Sequence, residues 1–324
     1  MNFLLSFFCL FNVIFCALTP FPIPAANLPS GNPLPTDLTG VKVVIIGGTH
    51  GIGNATAYEF YNRNASVTIT TRNLFTAAVS PFRVMELEYG RGKKNVEKFV
   101  KKYINQVGFP DVLVDCGLVF FTGLVMDFDR DHMEYAMKMY ITDPFLLYRE
   151  FLKHNNASKP FNISIAISAV SYGTVSSFYA LYAVGKMAKK DFVRDFALYE
   201  GPKYYPNVRI TGIACAYVNT SIAVNSYNPS ANRGDAFSIK FVEVNILLNN
   251  LLGIPASTVA LAHLEAITTL TKENNTLYLV PTAGDGRTRA EILYNIYVND
   301  NTTEFLKDNN AIYLSLGLNI SAYL

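Results

Sequence analysis

Apolar residues fall along this chain in short β-branched runs separated by amphipathic stretches of ten or more residues, the rhythm of strands alternating with helices. The run Val43-Val44-Ile45-Ile46 has no polar face, as expected of a central parallel strand buried on both sides. A helix is predicted over 51–62, a second strand over 65–72 and a third over 82–88. Residues 95–106 repeat at helical spacing with lysines outward, and 111–117 reads as a fourth strand. One long helix is predicted over 131–153, a fifth strand over 161–168, and a further helix opening within 176–186. A sixth strand ends at Ala214-Cys215, followed by a helix over 255–271 and a last strand over 276–280. This βαβα order predicts an α/β fold: a doubly wound parallel sheet between two helical layers, with its ligand at the carboxyl ends of the strands.

The pattern breaks down at the N-terminus. Residues 3–18 are apolar and uncharged, which reads as a secretory h-region or a membrane anchor. The stretch is shorter than the roughly 20 residues of a comfortable span. Pro20, Pro22, Pro24, Pro29, Pro33 and Pro35 follow and predict an extended tether. The expected organisation is a signal or anchor over 1–19, a tether over 20–37 and one folded domain over 38–324. Residence is expected in the secretory pathway: the endoplasmic reticulum lumen, its membrane through the N-terminus, or secretion. Sequons at Asn54, Asn64, Asn156, Asn162, Asn219, Asn274, Asn301 and Asn319 agree with a glycoprotein, although a glycan on Asn54 or Asn219 would block the proposed site.

Composition narrows the function classes. The 324 residues are 50% hydrophobic with a formal net charge of +2, enough for one large core. No long basic run is present, so nucleic acid is not an expected partner. Only Cys116 and Cys215 lie in the folded body, too few for a disulfide framework. As the ends of the fourth and sixth strands, with the fifth between them, they are expected to be too far apart to bond. His50, His132, His154 and His263 show no metal-ligand spacing, so no metal site is expected. The tail 311–324 is apolar enough to pack on the domain or to form a contact in a homo-oligomer.

Candidate chemistry begins where the first strand ends. Gly47, Gly51 and Gly53 remove side chains where the backbone turns, approaches a pyrophosphate and packs a new helix on the sheet. The amide groups and positive dipole end of that helix attract phosphates. At the end of the second strand, Thr71 stands where an acidic residue would bind a ribose 2′-hydroxyl, and Arg72 follows it. An arginine there accommodates a 2′-phosphate, which favours NADP(H) over NAD(H), and His50 reinforces that choice when protonated. Farther along, Tyr182 and Lys186 are four apart at the start of a helix and share a face, just after a strand that ends in Ser168.

From about residue 41 to 217 the chain resembles the short-chain dehydrogenase/reductase family, in its single-domain branch with a Rossmann-type fold. Gly47-x-x-x-Gly51-x-Gly53 is similar to that branch's nucleotide turn, and Tyr182-x-x-x-Lys186 to its catalytic pair. Met137-Lys138-Met139-Tyr140 and Ser168-Ala169 resemble fungal-type members. The resemblance implies interconversion of a ketone and a secondary alcohol. Tyr182 would exchange a proton with the substrate oxygen, and Lys186 would lower the phenol's pKa and hold the nicotinamide ribose. Ser168, or else Ser171, would donate to that oxygen as charge develops. It also implies that Gly47, Thr49, His50, Gly51, Ile52, Gly53, Arg72, Cys116, Gly117, Val218 and Thr220 bind the cofactor, with Thr220 at the carboxamide.

Three positions depart from the family pattern. Asp115-Cys116-Gly117 stands in place of Asn-Asn-Ala-Gly, Tyr140 in place of an asparagine that holds a water beside the lysine, and Cys215-Ala216 in place of Pro-Gly. A catalytically silent nucleotide-binding protein of the same fold, serving as scaffold or redox sensor, therefore stays open. Selectivity is expected from residues 221–252, with Asn225, Tyr227, Phe237, Phe241 and Leu247 forming a mobile lid over a mostly apolar pocket for a lipophilic substrate.

Overall fold

The computed structural model describes residues 34–74, 80–172, 179–215, 218–235 and 253–268, the strand 277–280, and residues 238, 239, 242, 243, 246 and 249. The apolar N-terminus, most of the Pro-rich stretch, Phe237, Phe241, Leu247 and the tail lie outside the described residues.

Strand β1 (Lys42–Ile46) lies inside a seven-stranded sheet. Its companions are β2 (Ser66–Thr71), β3 (Arg83–Glu86), β4 (Val112–Asp115), β5 (Phe161–Ser168), β6 (Val208–Cys215) and β9 (Leu277–Val280). The spatial order is β3-β2-β1-β4-β5-β6-β9, with every pair parallel. The order reverses between β1 and β4, where a doubly wound sheet opens its ligand crevice.

Alternate residues of β1 feed opposite faces. Val44 and Ile46 join a core with Leu113, Phe99 and Phe151, while Val43 and Ile45 join one with Val112, Val114 and Phe60. Helices α1 (Gly51–Tyr61) and α8 (Ala256–Thr268) pack together over the second core. Helices α2 (Lys93–Val107), α4 (Asp143–Lys153) and α5 (Ala180–Asp195) cover the first. This is the three-layer α/β Rossmann fold that the alternation predicts. Packing already begins at Leu34, within the stretch that reads as tether. Leu34 rests on the core, and Arg63 donates to the Pro35 carbonyl at 3.0 Å.

The helix expected over 131–153 is not continuous. It divides into α3 (Arg130–Met137) and α4, joined by a π turn over Lys138–Thr142. Pro144 explains the break, since in a regular helix its ring would collide with the carbonyl of Tyr140, and its missing N–H is tolerated only in a first turn. The wider turn buries Tyr140 completely.

The short strands β7 (Val218–Asn219) and β8 (Ile254–Pro255) pair in parallel beyond the end of β6, and the short helices α6 (Gly201–Tyr204) and α7 (Pro229–Asn232) lie among the connections.

Candidate active site

The turn after β1 is shaped by missing side chains. Gly47 has φ +73°, and a Cβ there would stand 3.0 Å from Gly117 Cα and 3.1 Å from the Cys116 carbonyl. A Cβ on Gly53 would lie 2.3 Å from the Gly47 oxygen. Thr70 Oγ1 accepts from the Gly47 amide at 3.0 Å and pins the turn to β2. Helix α1 starts at Gly51 with no side-chain cap from His50 and no acidic residue in its first turn. Its N-terminal amides and dipole thus face outward over a cradle that any Cβ would fill, and the residues present fit a dinucleotide pyrophosphate. Thr49 and His50 flank the cradle, with Thr49 Oγ1 and His50 Nδ1 3.0 Å apart. Ile52 packs beneath it against a cluster that includes Cys215 and Val218.

Thr220 arrives from the other half of the sheet. A Cβ on Gly51 would lie 3.3 Å from Thr220 Cγ2, so the segment after β6 closes over the glycine turn. Asn249 donates to the Thr220 carbonyl at 2.8 Å. On the opposite side, Thr71 spends its hydroxyl on Asn73, whereas exposed Arg72 makes no hydrogen bond or ion pair among the described residues.

Helix α5 presents Tyr182 and Lys186 to the end of β5, both buried. Lys186 Nζ donates to the Ala166 carbonyl at 2.6 Å and lies 5.6 Å from the Tyr182 ring centre. Ser168, the last residue of β5, lies close enough to the Tyr182 phenol to act on its proton and reaches the Cys215 carbonyl at 3.4 Å. Burial pushes the Tyr182 phenol up, the nearby Cys215 adds to this, and the Ser168 hydroxyl opposes it. Burial first, and then the Lys189 ammonium, pull Lys186 down to about 8. The expectation that Lys186 depresses Tyr182 is corrected here, because the ammonium is turned toward Ala166 and the phenol keeps its proton at neutral pH. Ser171 is buried and donates to the Ser168 carbonyl at 2.6 Å, so it braces Ser168 instead of reaching outward.

Sequence reading missed Phe120 and Tyr179 beside this group. The Phe120 ring lies 4.8 Å from Tyr182 and 5.6 Å from Tyr179. Tyr227 comes back from the segment after Thr220 to pair with the same stretch, donating its amide to the Phe120 carbonyl at 2.7 Å. Its hydroxyl sits 2.7 Å from His132 Nε2. Asn225 is exposed. The available signal was the Phe120-Phe121 pair just beyond a strand end, in a stretch with no periodicity.

The departures from the family pattern have structural partners. Tyr140 donates to the Val119 carbonyl and accepts from the Phe121 amide at 3.2 Å, so its hydroxyl is committed to the loop after β4. Its ring occupies the space over Gly185, where a Cβ would come within 2.5 Å. Cys116 and Cys215 are both free thiols. Cys116 Sγ lies 3.9 Å from His263 Nε2, whose other ring nitrogen is 2.7 Å from Ser164 Oγ. Burial holds His263 down at about 3, so it stays neutral. Asp115 is fully buried and paired with Lys189.

The comparisons with known proteins agree with this geometry. A family model described as short chain dehydrogenase matches residues 41–230, more than half of the chain. The chain belongs to the short-chain dehydrogenase family. It is therefore an oxidoreductase of a family that binds nicotinamide cofactors. Glucose and ribitol dehydrogenase homolog 2 of Arabidopsis thaliana is 27% identical over 224 residues, covering 64% of this chain and 75% of the relative. Short-chain dehydrogenase/reductase FrzI of Cladobotryum sp is 26% identical over 210 residues, covering 61% and 78%. Among solved structures, L-sorbose reductase from Gluconobacter frateurii, complexed with NADPH and L-sorbose, superposes with a TM-score of 0.62 at 16% identity, over 78% of this chain and 100% of that one. Gluconate 5-dehydrogenase from Burkholderia cenocepacia, in complex with NADP and tartrate, gives 0.60 at 18% identity, over 76% and 96%. At these identities the two structures establish the fold alone. Among the described residues no helix is long and apolar enough to cross a membrane, and no His, Cys, Asp and Glu group could hold a metal ion.

Proposed function

We propose that this dehydrogenase uses NADP(H) to interconvert a lipophilic ketone and its secondary alcohol. The observation that carries the reading is the convergence of Ser168, Tyr182 and Lys186 at the end of β5, on the sheet edge that holds the glycine cradle. Gly47, Thr49, His50, Gly51, Ile52 and Gly53 would seat the pyrophosphate, Cys116 and Gly117 the inner ribose side, and Lys186, Val218 and Thr220 the nicotinamide end. Arg72 supports the phosphorylated cofactor, since its guanidinium is exposed and without an ion pair among the described residues. The NADP and NADPH complexes of the two structural neighbours lend the same support. When bound, the nicotinamide supplies or accepts the hydride. The chain's own work is proton handling. Protonated Tyr182 donates to the carbonyl oxygen, Ser168 stabilises charge developing there, and Lys186 orients the ribose. A phenol that keeps its proton is suited to the reductive direction. The rings of Phe120 and Tyr179 beside Tyr182 favour an apolar substrate.

One observation favours the silent reading, the commitment of the Tyr140 hydroxyl to the loop after β4, at the position where the family pattern has a water-holding asparagine. NADPH oxidation by the full-length protein against a panel of aliphatic and aryl ketones, with L-sorbose as a polar control, decides between the two. Turnover of an apolar ketone that disappears in Tyr182→Phe supports the enzyme, whereas NADPH binding without any turnover supports the silent protein. The stretch 3–18 supports entry into the secretory pathway, and carbonate extraction separates an anchored from a cleaved form.

A further inference from the structure

Asp115 ends β4 where the family pattern has asparagine, and it is completely buried. Its Oδ2 accepts from Lys189 Nζ at 2.9 Å and from the Tyr148 hydroxyl. Its Oδ1 accepts from the Gly117 amide at 3.0 Å. Gly117 is the residue against which Gly47 packs, so this carboxylate bears directly on the cofactor cradle. Lys189 is equally buried and stands three residues after Lys186, on the same face of α5. Either charge alone would be costly in this interior, whereas together they neutralise each other and tie the cradle to the catalytic helix.

We propose that Asp115 and Lys189 are positioning residues, a pair of opposite charges that sets the charge state of Lys186. The proposal rests on the functional reading only in taking Lys186 as the catalytic partner. The groups facing Lys186 are Lys189 and Tyr182 on its own helix, Asp115 from β4 and Cys116 just beyond it, Cys215 from β6 and His263 from α8. Of these, Asp115 and Lys189 bring full opposite charges. Burial and Lys189 already draw Lys186 down. Without Asp115, the positive charge of Lys189 is unbalanced. Without Lys189, the negative charge of Asp115 is.

The test reads Lys186 directly and needs neither substrate nor cofactor, so failure of the oxidoreductase reading leaves it intact. Full-length protein labelled with 13C at lysine Cε is titrated by NMR, with the Lys186 signal identified from its loss in Lys186→Arg. Asp115→Asn should move the Lys186 midpoint down and Lys189→Met should move it up, each by about half a pH unit or more. The double variant Asp115→Asn/Lys189→Met should lie between the two single variants, and Lys189→Arg should keep the wild-type value. Should one single variant fail to fold, a folded double variant displaced from the surviving one, upward from Asp115→Asn or downward from Lys189→Met, supports the pair, and an unfolded double variant or one at the survivor's midpoint overturns it. Shifts in the same direction, or no shift in either single variant, would also overturn it.

Discussion

The glycine turn and the catalytic helix lie at the same edge of one sheet, yet they are built by opposite means. At 47–53 the chain removes atoms until backbone meets backbone, and the function is written in backbone amide groups. At 182–189 it buries a phenol and two ammonium groups, one of them paired with the Asp115 carboxylate, and the function depends on what faces them. The difference explains where the chain departs from its family. The turn matches the family pattern, whereas Asp115 and Cys215 bear on Lys186 and Tyr140 packs on Gly185 beside it. A cradle made of close approaches has one solution. A site made of balanced charges has several, provided that each change finds a partner, as Tyr140 finds Gly185 and Asp115 finds Lys189.

Substitutions on each side should separate the two regions. The largest effect is expected from Tyr182→Phe, which should lower turnover by roughly 10³-fold while leaving NADPH affinity within about twofold. Steady-state rates beside equilibrium binding check this, and a parallel loss of binding would mean that the two regions are not separable. Gly53→Ala should do the reverse kind of damage. Its Cβ meets the Gly47 carbonyl, a backbone atom that cannot swing away, so denaturant melts should show a loss of about 3 kcal/mol and no NADPH binding. A variant of wild-type stability would show that the close approach is not what shapes the turn.

The charged side has its own signature in pH. Lys186 titrates at about 8 when folded against 10.5 when unfolded, so between those values the unfolded chain holds more protons and stability rises with pH. Unfolding free energies of wild type and Lys186→Met should therefore diverge in favour of wild type from about pH 8 upward, by up to about 3 kcal/mol, and run parallel below it. Curves that stay parallel throughout would place Lys186 in a wetter setting than its burial suggests. The smallest effect belongs to the rim. Arg72→Ala should weaken NADPH binding about tenfold and leave NADH unchanged, as isothermal titration would show.

How far each region could be read from sequence follows from the same contrast. β1 and its glycines were legible because an unbroken apolar run and missing side chains are local signals. The parallel order followed from the alternation of elements, and the spacing of Tyr182 and Lys186 from one helical turn. The break in the long helix was less visible, although Pro144 marked it, because its effect falls on the carbonyl of Tyr140 four residues earlier. The Lys189 partnership could not be read at all from helix periodicity, which places the lysine inward without naming what meets it across 74 residues of chain. The direction of the Tyr182 shift was missed for a similar reason. Sequence places Lys186 beside the ring, but only the fold shows its ammonium bound to the Ala166 carbonyl.

The most direct test of the account is equilibrium binding of NADPH and of NADH to the full-length protein, followed by the cofactor's own fluorescence in a chain without tryptophan. NADPH should bind at least about ten times more tightly than NADH, and Arg72→Ala should erase the difference. Equal affinities in the wild type would contradict the role given to Arg72, and binding of neither cofactor would contradict the cradle itself.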